Sequence, residues 1–139
     1  MAESSGALRV EVVSPEKVLF SGDATQVITR TIEGGEIAFL PGHAAFLGAL
    51  TQNHTRIYLA DGSIQNLAVH LGFVEVGPDH VTILSDAAEL EEDIDVARAR
   101  AAKARAEEQM RTETSAEAEG ALRRAHARLD ATGGIEASH

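Results

Sequence analysis

The sequence predicts an α+β chain, a β-rich module of short strands followed by two helices. Three observations predict it: a break in composition near residue 87, alternating runs with turn signals before it, and an alanine-rich tract after it. Of 139 residues, all five aromatics (Phe20, Phe39, Phe46, Tyr58, Phe73) precede the break. So do the three prolines, Pro15, Pro41 and Pro78, and nine of the twelve glycines. Fifteen of the last 53 residues are alanine. Residues 1–86 are therefore read as a β domain and 87–139 as a helical domain with a short tail.

Along the β module, Leu8 to Val12 alternates apolar and polar residues, as a half-buried strand does. Gln26 to Ile32 is rich in β-branched residues, and Glu33-Gly34-Gly35-Glu36 makes a turn after it. Thr55–Leu59 and Ile64–Leu67 flank Ala60-Asp61-Gly62-Ser63, where Asp-Gly accepts positive φ. Gly72–Val76 and His80–Leu84 flank Gly77-Pro78-Asp79, another tight turn. Eight to ten such strands, with turns every 8–12 residues, predict a β-sandwich or flattened barrel.

In the second module one helix is expected from about Ile94 to Met110 or beyond. A second is expected to start at Thr114-Ser115-Ala116-Glu117, with Thr114 and Glu117 as a capping box, and to stop before Gly133-Gly134. Glu107/Arg111 and Glu119/Arg123 are i,i+4 pairs in the favourable order. The link between the helices is a few residues, so an antiparallel hairpin is one available geometry. From Ile94 to Ala131 the large apolar residues are Ile94, Val96, Met110, Leu122 and Leu129. At about 1.5–3 kcal/mol each they supply of order 10 kcal/mol, against about 1–2 kcal/mol per residue to order the backbone. Gly120 costs about 1 kcal/mol more than alanine. The helical pair is thus expected to need a ligand or partner to fix its arrangement, and to be able to switch.

Composition excludes several functions. There is no cysteine, hence no disulfide framework, thiol chemistry or Cys-based metal site. Twenty-two acids against 12 bases give a net charge of −10, which argues against nucleic-acid binding. At 44% hydrophobic the chain is not disordered in bulk, and its length lets it bury roughly two-thirds of its unfolded surface. No apolar run approaches the roughly 20 residues that span a bilayer. Met1 to Gly6 lacks a basic cluster and an apolar stretch, so a cytosolic protein without a signal peptide is expected, reaching a membrane only through a partner. Ile135–His139 is expected to be disordered.

Catalytic signatures are missing: Lys17 and Lys103 follow no Gly-rich loop, and neither G-x-G-x-x-G nor G-x-S-x-G occurs. The six histidines (His43, His54, His70, His80, His126, His139) have no H-x-H or H-E-x-x-H spacing, and no metal site is expected. Asn53-His54-Thr55 matches a glycosylation sequon, which carries no meaning in a cytosolic chain. The arginines of the helices hold more. Asp95, Arg98 and Arg105 share one helical face, and Arg124 and Arg128 share another. Folded together, the four guanidinium groups would need an anion between them, and a polyphosphate fits. The competing reading is a solvated face of arginines paired with nearby glutamates.

Leu8–Ser14 with Pro15-Glu16, Phe20-Ser21-Gly22, Gly35-Glu36-Ile37, Leu40-Pro41-Gly42-His43-Ala44, Gly72–Val76, Val81–Leu84 and Ile94-Asp95-Val96-Ala97-Arg98-Ala99 together resemble the epsilon subunit of bacterial F-type ATP synthases. The resemblance runs in order from about residue 8 to 131. It implies a β-sandwich of about ten strands and a C-terminal two-helix antiparallel hairpin. It implies a non-catalytic rotor subunit, peripheral on the cytoplasmic face of the bacterial plasma membrane, linking the gamma subunit to the c ring for proton-coupled ATP synthesis. The helices of that family change between a folded hairpin and an extended form. The extended form reaches the alpha and beta subunits and restrains ATP hydrolysis. The ring-facing turn of the family corresponds to Glu36, Pro41, Gly42 and His43, with Ala38 and Ala45 standing where glycine and proline are usual. Some members hold ATP through an [I/L]-D-x-x-R-A motif. Ile94, Asp95, Arg98 and Ala99 match it, and Glu89, Arg105, Arg124 and Arg128 match the rest of that pattern. No cofactor is required on this reading; ATP is a possible regulatory ligand.

Two other functions compete. A free-standing nucleotide sensor whose hairpin opens and closes predicts a stable monomer without affinity for gamma. An enzyme predicts a pocket gathering His70, His80 or Glu75 with perturbed pKa values.

Overall fold

The structure, a computed structural model, describes residues 7–133. The expectations for Met1–Gly6, for Gly134 and for the tail Ile135–His139 fall outside them. In β1 (Leu8–Val13) the alternation works as expected: Leu8, Val10 and Val12 are fully buried and Arg9 faces solvent. β2 (Val18–Thr31) is far longer than its β-branched part suggested. Its buried positions shift from Ala24 to Val27, Thr29 and Thr31, because an irregularity against β5 between Ala24 and Gln26 flips the side-chain parity. β3 (Gly35–Phe39), β4 (Phe46–Leu50), β5 (Asn53–Leu59), β6 (Ile64–Val69), β7 (Gly72–Val76), β8 (His80–Leu84) and β9 (Ala88–Leu90) follow. Nine strands, against about ten expected, thus form among the described residues.

The pairing order is β1-β8-β7-β4-β2-β5-β6-β9, with β3 on β2, and β2 also pairs with β1. Among the described residues only β1 and β8 pair in parallel. β2 therefore runs through both halves of the sheet, which folds over on one core of Leu8, Val10, Val12, Val27, Phe39, Leu50, Ile57, Leu67, Val69, Val74, Val76, Val81 and Ile83. This is a β-sandwich. Thr29, Thr55 and Asn53 are buried in it and satisfy one another: the two hydroxyls lie 2.8 Å apart, Thr55 donates to Asn53 Oδ1 at 2.8 Å, and Asn53 Nδ2 donates to Thr51 O. The sequon asparagine is thus a core residue.

The turns are where the sequence put them. Gly62 holds φ +93° in the β5–β6 hairpin, and Asp61 accepts from the Ser63 N–H and hydroxyl. Gly72 holds φ +144°, and a Cβ there would lie 2.1 Å from Leu84 O.

After a single 3-10 turn (Glu91–Asp93), α1 (Val96–Thr112) and α2 (Ala116–Ala131) form an antiparallel pair joined by Glu113–Ser115. α2 lies on β5 and β6. Its sheet contact is small: Ala127 and Ala131 meet Ala68 and Ile94. Three local expectations are corrected. α1 starts two residues later than Ile94, which is extended and buried; Asp95 caps it, accepting from Arg98 N at 3.1 Å. Ser115, not Thr114, caps α2 by accepting from Ala118 N, so Glu117 falls one position short of a capping box. The surface pairs also differ. Arg111 bonds Glu108, Lys103 pairs with Glu107 at 3.4 Å, and Arg123 reaches Gln52 instead of Glu119. Such exposed partners exchange at little cost.

Candidate functional site

Three surfaces carry the chemistry. The first is a pocket of about 410 Å³ between β9, the 3-10 turn and the two helices. Glu89, Asp95, Arg98, Ala99, Arg105 and Arg128 of the expected set line it, together with Asp93 and Ala102, which sequence reasoning missed. Of the other two expected residues, Ile94 sits in the apolar contact beneath α2, and Arg124 does not line the pocket. Three of the four arginines therefore converge.

The carboxylate of Glu89 organises this pocket. Pairing of β9 with β6 places Glu89 opposite Ala68, beside α2. Its Oε1 accepts from Arg128 Nε at 2.6 Å and from His70 Nε2 at 3.0 Å. The His70 hydrogen bond first, and the Arg128 guanidinium after it, hold the carboxyl at about 2 against the opposing effect of burial. Arg98 and Arg105 project from α1 into the same pocket and form no ion pair among the described residues. Asp95 has its first job as the α1 cap. The pocket thus sets three guanidinium groups, Arg98, Arg105 and Arg128, against the carboxylates of Glu89, Asp93 and Asp95.

The second surface is polar. Glu36, the second residue of β3, pairs with Arg56 at 2.7 Å, within a groove of about 900 Å³ between the sheet and α2. Pro41, Gly42 and His43 lie beyond the other end of β3, where Gly42 N donates to Pro78 O and the His43 ring meets Phe39 edge-on at 5.0 Å. The four expected rotor-facing residues therefore split into two groups at opposite ends of one strand.

The third surface was not anticipated residue by residue. The outer face of β1, β8, β7 and β4 carries a row of Val13, Leu84, Phe73 and Ala49 in direct register. Phe73 is 55% exposed and Leu84 48%. Ile32, Leu47 and Leu71 add exposed apolar side chains, and the row floors a groove of about 700 Å³ that His70 also lines. A solvated sheet face is normally polar, so a contiguous apolar row marks a contact surface. The sequence signal was Phe73, sharing a face with Glu75.

Among the described residues the histidines do not assemble into one group. His80 bonds Glu75 at 3.0 Å and Asp79 at 3.1 Å on the open surface, and these two acids raise its pKa. His70 is buried elsewhere, against Glu89. Among the described residues no cluster of three or more His, Asp or Glu could hold a metal, and no helix is long and apolar enough to cross a membrane.

Residues 7–91 match the family description "ATP synthase, Delta/Epsilon chain, beta-sandwich domain", and residues 92–133 match "ATP synthase, Delta/Epsilon chain, long alpha-helix domain". The ATP synthase epsilon chain of Halalkalibacterium halodurans is 46% identical over 132 residues, covering 91% of this chain and 97% of that one. The epsilon chain of Moorella thermoacetica is 41% identical over 133 residues, covering 93% and 98%. Among solved structures, a chain of the Euglena gracilis mitochondrial ATP synthase shares the fold, with a TM-score of 0.71 at 18% identity over 96% of this chain and 81% of that one. The sandwich, the helical pair and these relatives agree: the chain belongs to the ATP synthase delta/epsilon family and is a non-catalytic rotor subunit of an F-type ATP synthase.

Proposed function

We propose that the sandwich joins the gamma subunit to the c ring, and that the helical pair is a brake set by ATP. The apolar row of Val13, Leu84, Phe73 and Ala49 carries the first half of this reading. It seats gamma, while Pro41, Gly42 and His43, with Glu36 at the far end of β3, face the ring. The chain is thereby held at the cytoplasmic face of the membrane through its partners.

The pocket of Glu89, Asp95, Arg98, Arg105 and Arg128 carries the second half. ATP phosphates bridge Arg98 and Arg105 and draw in Arg128, keeping α1 and α2 folded on the sandwich. When ATP is scarce the pair opens, extends toward the alpha and beta subunits and restrains hydrolysis. ATP at 100 times its dissociation constant adds about 2.7 kcal/mol to the folded arrangement, enough to decide a marginal one.

A calorimetric titration of the chain with ATP, with Arg98→Ala in parallel, tests the brake. Saturable heat that the variant loses is expected; no heat up to millimolar ATP removes the nucleotide site. Binding to purified gamma, with Phe73→Asp in parallel, tests the docking surface and separates it from a free-standing sensor, which would ignore gamma. A charge buried in the contact is expected to weaken binding at least about 100-fold. An unchanged affinity refutes the apolar row as the seat.

A further inference from the structure

One nitrogen of a buried ring has nothing to bond. The His70 side chain is 4% exposed, and Nε2 is used by Glu89 Oε1 at 3.0 Å. An ionised carboxylate only accepts, so Nε2 carries the proton. Nδ1 is buried and has no partner among the described residues. A buried polar atom left unsatisfied in an otherwise well-paired fold calls for an explanation.

The surroundings supply one. The His70 backbone is pinned, its N–H donating to Ala87 O at 2.9 Å. The next residue, Leu71, has φ +73°, the sole positive φ outside glycine among the described residues, and its side chain is half exposed. Both residues line the apolar groove beside Phe73 and Leu84. On its other side the ring meets the oxygen that also holds Arg128, the α2 residue tied to β9.

We propose that His70 is a relay between the apolar groove and the helices. It rests on the reading that the groove seats gamma. The gamma segment in the groove displaces the strained Leu71 and brings an apolar side chain with a hydroxyl or peptide N–H beside it. That group donates to Nδ1. A bond to Nδ1 polarises the ring and strengthens the Nε2–H bond to Glu89, so the shared oxygen holds Arg128 less firmly. Seating gamma therefore favours release of α2. By linkage, a firmly held α2 weakens gamma binding by the same factor.

The test uses the full chain and the gamma subunit of its own enzyme, without nucleotide. The 15N resonance of His70 Nδ1 is recorded with and without gamma. Affinity for gamma is measured for the unaltered chain, Arg128→Ala, His70→Gln and the double variant. His70→Gln keeps an amide donor for Glu89 but lacks the ring acceptor, and its melting transition checks that it folds. The Nδ1 signal is expected to move from that of a bare ring nitrogen when gamma binds. Arg128→Ala is expected to tighten gamma binding about five-fold or more in the unaltered background, and to leave it unchanged in His70→Gln. A stationary Nδ1 signal in the complex, or an equal effect of Arg128→Ala in both backgrounds, overturns the relay while the docking surface stands. If gamma does not bind the unaltered chain, the docking reading fails and the relay falls with it.

Discussion

Inside the sandwich the largest fully buried side chains are Phe39, Leu8, Leu50 and Ile57, whereas the helices meet the sheet through Ala68, Ala127, Ala131 and Ile94. A buried leucine or isoleucine stabilises by about 1.5–3 kcal/mol, and an alanine methyl by less than about 1. α1 buries only Ala99 and Ala106. The same chain thus contains a sandwich core filled by large side chains and a helical pair held to it by little apolar area. Stability in the two regions has different sources: apolar volume in one; an ion pair, several alanines and the side chains of Leu129 and Ile94 in the other.

That difference can be broken from either side. Phe39→Ala should have the largest effect, costing about 3–5 kcal/mol of global stability in a urea titration, because a fully enclosed ring leaves a cavity. Glu89→Ala should act on the helices and on the β6–β9 edge beside His70. It removes the acceptor shared by Arg128 and His70, and should raise hydrogen exchange in α2 by an amount worth about 1–3 kcal/mol. The strand amides of β1 and β8 should keep their protection; if they lose it in step with α2, the two regions are one cooperative unit.

Acid should do the same without a mutation. The Glu89 carboxyl is held at about 2, below its usual 4.5, so its contribution is complete above about 4.5 and fades as pH falls toward 2. Exchange in α2 should therefore rise across that window in the unaltered chain and be flatter in Glu89→Ala. Gly120→Ala sharpens the comparison in the stabilising direction. An added Cβ meets only the flexible end of Arg124, at 3.3 Å, and should gain about 0.5–1 kcal/mol of helix stability, read as slower exchange in α2. The smallest effect belongs to His80 on the sandwich, and its sign is opposite to that of Glu89. Its pKa is raised by Asp79 and Glu75, so its contribution is present below about 6.5 and is lost as pH rises through the raised value. An NMR titration of the His80 ring, compared with Glu75→Gln, checks it.

The strands and turns were legible because their signals are local: alternation in β1, Asp61-Gly62, Gly77-Pro78-Asp79. The length of β2 was not, because an irregularity near Gln26 breaks the alternation that would have revealed it. β4 and β9 lacked any signal strong enough to name them; β9 is three residues long and exists by pairing with β6. In the site, the facing arginines of α1 followed from helical spacing, but spacing could not exclude Arg124, since only the docking of α2 decides which of its arginines reaches the pocket. His70 was invisible as a partner of Glu89 because the two lie 19 residues apart and meet through a strand register. The helix caps were misplaced by one or two residues, where Thr114 and Ser115 are chemically equivalent candidates.

β2 has a mechanical meaning. Its first half is bonded to β1, its second half to β3 and β5, and its last residue to β4. A rotor subunit is loaded sideways, by torque. A strand of fourteen residues that passes from the ladder with β1 to the ladders with β5 and β3 takes such a load in shear, with many ladder bonds strained together, where a hairpin at an edge would unzip bond by bond. The sandwich is therefore stiffest along the strand that joins its two layers, and the softer seam is the alanine contact beneath α2.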